Sequence, residues 1–342
     1  MNKTTKVLII YTGGTIGMVR NLKTGALEPF DFDNLKKNVP ELERFSVEVN
    51  TIAYQPIDSS EISPHHWQML IETLKQNYFK YDGFVILHGT DTMSYTSSAV
   101  SFMIENNRKP IVLTGSQLPI GQIRTDGKEN LITAIEIAST YKNGIPVVPE
   151  VCISFQNKLF RGNRTHKYNS EYFDAFQSPN YPLLAEIGID INYNYEAIKH
   201  PEFHKPVRFH TQMDTNVALI KLYPGINPKI IENIIETEGL RGLVIESYGS
   251  GNAPNEKWLD DLLKKANDKQ IHILNVSQCN AGGIKQGLYE ASQIFIKNNV
   301  ISGKDITTEA AITKMMFLLA QDFNNEEIAF YLGKNIAGET EE

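Results

Sequence analysis

Two short, almost wholly apolar runs constrain this fold more than any other feature. They are Val7-Leu8-Ile9-Ile10-Tyr11 and Phe84-Val85-Ile86-Leu87, and each runs straight into a turn, Thr12-Gly13-Gly14-Thr15 in one case and His88-Gly89-Thr90-Asp91-Thr92 in the other. A strand with no polar alternation is buried on both faces, which is the pattern of a parallel sheet covered by helices. In such sheets ligands sit beyond the carboxyl ends of the strands, so the two turns are expected to open on one crevice.

The rest of the chain supports that class by alternation. Ser63-Pro64 reads as an N-cap with proline at the first helical position, starting a helix toward Tyr78. Thr92 can cap a helix over Ser94 to Glu105, where Val100, Met103 and Ile104 recur at helical spacing. Ile111-Val112-Leu113 follows as a strand, and Asp126 to Tyr141 as an amphipathic helix. Between Asn192 and Thr215 the period lapses into Tyr, Asn, His and Pro, as expected of a linker. Beyond it come a strand at Val217 to Lys221, a helix at Pro228 to Glu236, a strand at Leu243-Val244-Ile245, a helix at Asn255 to Ala266 and a strand at Ile271 to Val276. This predicts a larger N-terminal domain over 1–191, a linker over 192–215 and a smaller domain over 216–342. The tail Glu339-Thr340-Glu341-Glu342 reads as solvated.

Composition narrows the partners. The 342 residues, 41% hydrophobic, suffice for two cores, and 33 basic against 40 acidic residues give a net charge of −7, which argues against a nucleic-acid partner. The polar start Met1 to Lys6 and the five-residue apolar run after it match neither a signal-peptide core nor a membrane span, so a cytoplasmic protein without membrane association is expected. Cys152 and Cys279 are too few and too far apart for a disulfide framework and read as buried free thiols. His65-His66 has no third ligand at zinc spacing, so neither a metal nor another cofactor is expected. Trp67 and Trp258 read as packing residues on helices.

The turns themselves suggest chemistry. Thr12-Gly13-Gly14-Thr15-Ile16-Gly17 matches neither the dinucleotide fingerprint nor the nucleotide P-loop, and alone it could be a packing turn. His88-Gly89-Thr90-Asp91-Thr92 adds two hydroxyls and a carboxylate just before a helix N-terminus, more groups than capping needs. A threonine hydroxyl attacks only if a base takes its proton, and candidate bases cluster in Arg161-Gly162-Asn163-Arg164-Thr165-His166-Lys167, although such a cluster taken alone more often reads as an exposed basic loop.

These blocks resemble the bacterial-type L-asparaginases. The two threonine turns, extended to Met18 and Met93, match the family's signature turns. The likeness continues through Asp58-Ser59-Ser60, Thr114-Gly115-Ser116-Gln117, Arg161 to Thr165, Phe173 to Asn180 and Ser247 to Pro254, in collinear order over nearly the whole chain and nearest to the cytoplasmic type I branch. The resemblance implies a two-domain α/β fold. Its larger N-terminal domain would hold a mostly parallel sheet flanked by helices, and its smaller C-terminal domain a parallel sheet.

The resemblance also implies hydrolysis of the side-chain amide of L-asparagine, with weaker activity on L-glutamine. Thr15 would be the nucleophile. Thr90, Asp91 and Lys167 would form a second catalytic set, with Asp91 also holding the substrate ammonium and Ser59 and Ser60 its carboxylate. Asp58 would order the serine turn, the Thr90 N–H beside Gly89 would face the oxyanion, and the Ser116 carbonyl would meet the amide nitrogen. A homodimer or homotetramer is implied, with 280–290 approaching a neighbouring site. A subunit of an amidotransferase and a noncatalytic amino-acid sensor are the competing readings.

Two departures stand out. The tyrosine that many relatives carry after the nucleophile is missing from Asn21 to Leu27, and Tyr11, on a strand, is expected to be packed rather than to replace it. The glycine-bracketed stretch Gly17 to Pro29 reads as a lid. Glu246 stands where relatives with an effector site have arginine, and His166 where they have threonine, which predicts simple saturation kinetics.

Overall fold

The computed structural model describes residues 4–20, 27–29, 39–44, 46–288 and 290–341. It divides into two compact units between Thr211 and Gln212.

The first unit is built on an eight-stranded sheet. Its strands are β1 (Thr5–Gly13), β2 (Val47–Ile57), β3 (Gly83–Leu87), β4 (Ile111–Thr114), β5 (Val151–Phe155), β6 (Lys158–Arg161), β7 (Ala185–Ile187) and β8 (Ile191–Tyr193). Across the sheet they run β8-β7-β6-β5-β4-β3-β1-β2. The five from β2 to β5 pair in parallel, and β6, β7 and β8 continue antiparallel.

The chain thus leaves β1 to one side for β2 and returns to the other side for β3. That reversal makes a crevice at the carboxyl ends of β1 and β3, the usual ligand position in an open parallel sheet. Both apolar runs lie on those two strands. Val7, Ile9, Val85 and Leu87 join one cluster with Leu131 and Ile135 of the helix α3 (Gly127–Ser139), and their alternates Leu8, Ile10, Phe84 and Ile86 are buried as well. Both faces are covered, as runs without alternation require.

Several boundaries differ from the sequence expectation. Following α1 (Pro64–Asn77), the helix α2 (Met93–Met103) stops before Glu105, because Ile104–Glu105 leaves the helix to pair with Arg208–Phe209. Residues 192–211 of the expected linker belong to the first unit, where β8 closes the sheet edge and 208–209 make that pairing. The sequence reading places no strand over β2, although half-buried Val47 and Val49 alternate with exposed Glu48 and Asn50 at its start, as in a half-covered edge strand.

The second unit carries a parallel sheet in chain order: β9 (Val217–Lys221), β10 (Gly242–Ser247), β11 (His272–Ser277) and β12 (Ile301–Ser302). Its core joins Ile220, Leu243, Ile245 and Ile273 to Leu259 and Leu263 of a helix over Lys257–Asp268.

Two expectations fail in this unit. Cys279 is exposed, and Cys152 alone is buried, in β5. The first half of the tail is not solvated: Glu339 is 0% exposed and Thr340 6%, whereas Glu341 is exposed. Glu339 meets Lys314 at 2.6 Å inside the unit, with both side chains fully buried. The ammonium also donates to the Leu332 carbonyl, and the carboxylate accepts from the Ala337 N–H at 2.7 Å. Acidic composition suggested water, but the buried ammonium of Lys314 on the helix Thr308–Leu319 demands a carboxylate.

Candidate active site

The first turn begins where β1 runs out of side chains. Gly13 has φ +134°, and a Cβ there would lie 2.1 Å from the Ile57 carbonyl oxygen. Gly14 has φ +87°, and a Cβ there would lie 2.4 Å from the Gly89 nitrogen. The two threonine turns therefore touch backbone to backbone, a contact only glycine permits. Thr12 Oγ1 ties the same strand ends by donating to the Leu87 carbonyl at 2.9 Å. A short 3₁₀ turn over Thr15–Gly17, closed by Gly17 N–H to Gly14 O, then presents Thr15. Tyr11 is buried beneath it and donates to the Gly17 carbonyl at 3.2 Å, and burial pushes its phenol up to about 12.

The second turn is pinned from behind. Trp67 Nε1–H donates to Thr96 Oγ1 at 3.0 Å, Thr96 Oγ1 lies 2.9 Å from His88 Nε2, and His88 Nδ1 lies 2.7 Å from the Gly89 carbonyl. Indole can only donate and a carbonyl can only accept, so the chain has one direction: Thr96 donates to Nε2, and Nδ1 carries the imidazole proton. Full burial lowers the His88 pKa to about 4, so the ring is neutral. In a trans peptide the carbonyl and N–H point opposite ways, so holding Gly89 O inward turns the Thr90 N–H outward.

Thr92 does not cap α2 with its side chain. Its hydroxyl donates instead to the Ser59 carbonyl at 2.7 Å. Asp58 orders the serine turn, accepting from Ser60 N–H at 2.8 Å and Ser60 Oγ at 2.7 Å, and those bonds lower its pKa. Ser59 is packed so closely on Gly89 that a Cβ there would lie 2.6 Å from its hydroxyl. Gly115, after β4, sits against the His88 carbonyl in the same manner, and Ser116 beyond it is buried.

The expected basic loop is neither exposed nor a loop of free charges. Arg161 pairs with Glu150 at 2.6 Å, both nearly buried, and its guanidinium stacks 4.1 Å over the Tyr181 ring. Ser97 Oγ donates to the Gly162 carbonyl, and a two-residue strand, His166–Lys167, pairs with Phe176–Gln177. That framework delivers Lys167 Nζ to Thr90 Oγ1 at 2.8 Å and to Asp91 Oδ1 at 2.5 Å. Thr90 Oγ1 in turn donates to Gln117 Oε1 at 3.4 Å, while Gln117 Nε2 donates to the Tyr172 carbonyl at 3.1 Å.

Among the residues singled out from the sequence, Thr90, Asp91 and Lys167 are joined by direct bonds. Gly89 meets the turn bearing Thr15 backbone to backbone and meets Ser59 at its side chain. Ser60 and Asp58 belong to the same short turn as Ser59. His88 and Gln117 were not anticipated as parts of the site, although each directly adjoins a singled-out residue. The expected lid is described only at its base, where Met18–Arg20 pairs with Leu27–Pro29. Residues 21–26, in the stretch lacking the tyrosine, lie outside the described residues. Among the described residues no group of three or more His, Cys, Asp or Glu side chains could hold a metal ion.

Together these features define an α/β protein in which two threonine turns, one backed by a lysine and a carboxylate, meet at the switch point of a parallel sheet. Comparison with known proteins gives the class a name. Residues 6–199 match the family model described as Asparaginase, N-terminal, and residues 216–332 match the Glutaminase/Asparaginase C-terminal domain. The chain belongs to the asparaginase family. It is 39% identical over 336 residues to L-asparaginase 1 of Escherichia coli (strain K12), covering 97% of each chain. The crystal structure of L-asparaginase I from Vibrio cholerae O1 biovar eltor superposes with a TM-score of 0.89 at 35% identity, covering 99% of this chain and all of that one. A further relative, 35% identical over 98% of this chain and 77% of its own length, is a subunit of the glutamyl-tRNA(Gln) amidotransferase of Methanobrevibacter smithii.

Proposed function

We propose that the protein hydrolyses the side-chain amide of L-asparagine to L-aspartate and ammonia through an acyl-enzyme on Thr15. The Thr15 hydroxyl attacks the amide carbon, its proton passes to the departing nitrogen, and the C–N bond breaks to release ammonia. Water then cleaves the Thr15 ester and restores the hydroxyl. The Thr90 N–H, turned outward by His88, would stabilise the oxyanion, a contribution of about 3 kcal/mol for one such donor. The hydrogen-bonded set Lys167, Thr90 and Asp91 would relay protons, with Asp91 also gripping the substrate ammonium. Ser59 and Ser60 would hold the α-carboxylate, and the Ser116 carbonyl would accept from the amide NH₂.

The observation that carries this reading is the lysine bonded to both a hydroxyl and a carboxylate on a turn that touches the Thr15 turn. A packing turn needs no such set. The E. coli relative, named an L-asparaginase, supports the same chemistry. The amidotransferase relative supports a second reading, in which the released ammonia is handed to a partner.

Ammonia release from asparagine and glutamine by the purified chain alone separates the two. Free turnover on asparagine is expected, and Thr15→Ala should reduce it by on the order of 10⁴-fold or more. Full activity in that variant would remove Thr15 from the mechanism. Turnover only with an added acceptor complex would favour the second reading.

A further inference from the structure

Asp126 stands at the N-terminus of α3, yet its side chain does not cap that helix. Its carboxylate turns instead to the loop after β4. The Gln117 N–H donates to Oδ2 at 3.0 Å and to Oδ1 at 3.2 Å, and the Leu118 N–H donates to Oδ1 at 3.2 Å. Asn130 Nδ2 donates to Oδ2 at 3.2 Å and also to the Gly115 carbonyl at 2.9 Å. The Ser116 hydroxyl closes the same loop by donating to the Leu118 carbonyl at 2.5 Å. Asp126 is only 9% exposed, so these are charge-assisted bonds made largely out of water, stronger than bonds between neutral groups.

The Gln117 N–H and the Ser116 carbonyl are opposite ends of one peptide unit, and no peptide bond among the described residues is cis. A carboxylate that draws the N–H to one side therefore aims the carbonyl to the other. His88 does the converse at Gly89–Thr90, holding the carbonyl so that the N–H faces out. An amide group offers one acceptor oxygen and an NH₂ donor. The two back-pinned peptides present the complementary pair.

We propose that Asp126 is a positioning residue that fixes the Ser116 carbonyl as the acceptor for the substrate NH₂ and the departing ammonia, which rests on the amidohydrolase reading above. The contact strengthens as the nitrogen gains a proton and its N–H bonds become more polar, so it acts on turnover more than on binding. An ester of aspartate has no N–H on its leaving group and does not need it.

The test compares L-asparagine with the β-methyl ester of L-aspartate on the wild type, Asp126→Ala and Asp126→Asn. Asp126→Ala should lower kcat/KM for asparagine about 10²-fold, the scale of a small misplacement at a reacting centre, and for the ester no more than about 3-fold. Asp126→Asn keeps one oxygen able to accept from the Gln117 N–H and should recover part of the amide rate. An equal loss on both substrates, or none on either, would overturn the proposal. If Asp126→Ala does not fold, the amide-to-ester ratio of Asp126→Asn decides alone. A wild type that releases no ammonia from asparagine would instead remove the amidohydrolase reading, a result distinguishable before any variant is made.

Discussion

Gly14 shows how little room the chemistry leaves at single residues. A methyl group there would meet the Gly89 backbone at 2.4 Å, and φ +87° is already costly for any other residue. Gly14→Ala should push the two turns apart and lower kcat for amide hydrolysis about 10²-fold with a smaller change in thermal midpoint, measured by ammonia release and calorimetry. His88 permits a prediction on pH. Its folded pKa of about 4 lies below the ordinary value of 6.5, so between those values the unfolded chain binds the extra proton. Stability due to this group is complete above about pH 6.5 and is lost as pH falls toward 4. Thermal midpoints between pH 7 and 5 should fall less in His88→Gln than in the wild type, and the His88 ring signals should not titrate between about pH 5.5 and 8. Local pattern made the threonine turns and the glycines legible in the sequence. The pinning bonds were not: those of Gln117 to Thr90 and Tyr172 join residues far apart in the chain, and those of His88 to Gly89 and Thr96 and of Asp126 to Gln117, though close in sequence, depend on turn geometry that no residue pattern announces.

At the scale of elements, uniformly apolar strands and capped helices were the readable parts, since their signals lie within a few residues. β1, β3 and the helix over Pro64–Asn77, with its proline start and the His66 ring completing its capping box, needed no tertiary information. The end of α2 did, because Ile104 keeps helical spacing but is claimed by a strand pairing with Phe209. The segment His166–Lys167 also reads as a basic loop until Phe176–Gln177 is laid beside it. The tail misled for a similar reason: Glu339 looks like surface until Lys314 is seen to be enclosed. Glu339→Gln leaves that buried ammonium without its carboxylate and should destabilise the second unit by about 3–5 kcal/mol in urea unfolding. Replacing both partners together, Lys314→Met with Glu339→Leu, should recover most of the loss, and failure to recover would show that the tail's backbone bonds matter more than the pair.

For the molecule as a whole, regulation follows from what already occupies Glu246. Its carboxylate lies 3.3 Å from Lys221 Nζ and accepts from Thr308 Oγ1 at 2.7 Å, so the cation beside this position is already paired when a second carboxylate arrives. Rate against asparagine concentration is expected to follow a hyperbola, and a clearly sigmoidal curve would show that effector binding uses other groups. The sheet order has a further consequence, in time rather than in space. Thr12 and Leu87, whose bond ties the two turns, are 75 residues apart. The shape that makes Thr15 useful is thus a long-range contact, and long-range contacts between strands form late and slowly. During refolding, helical signal should return before catalytic competence, and competence should reappear only as the centre of the sheet closes.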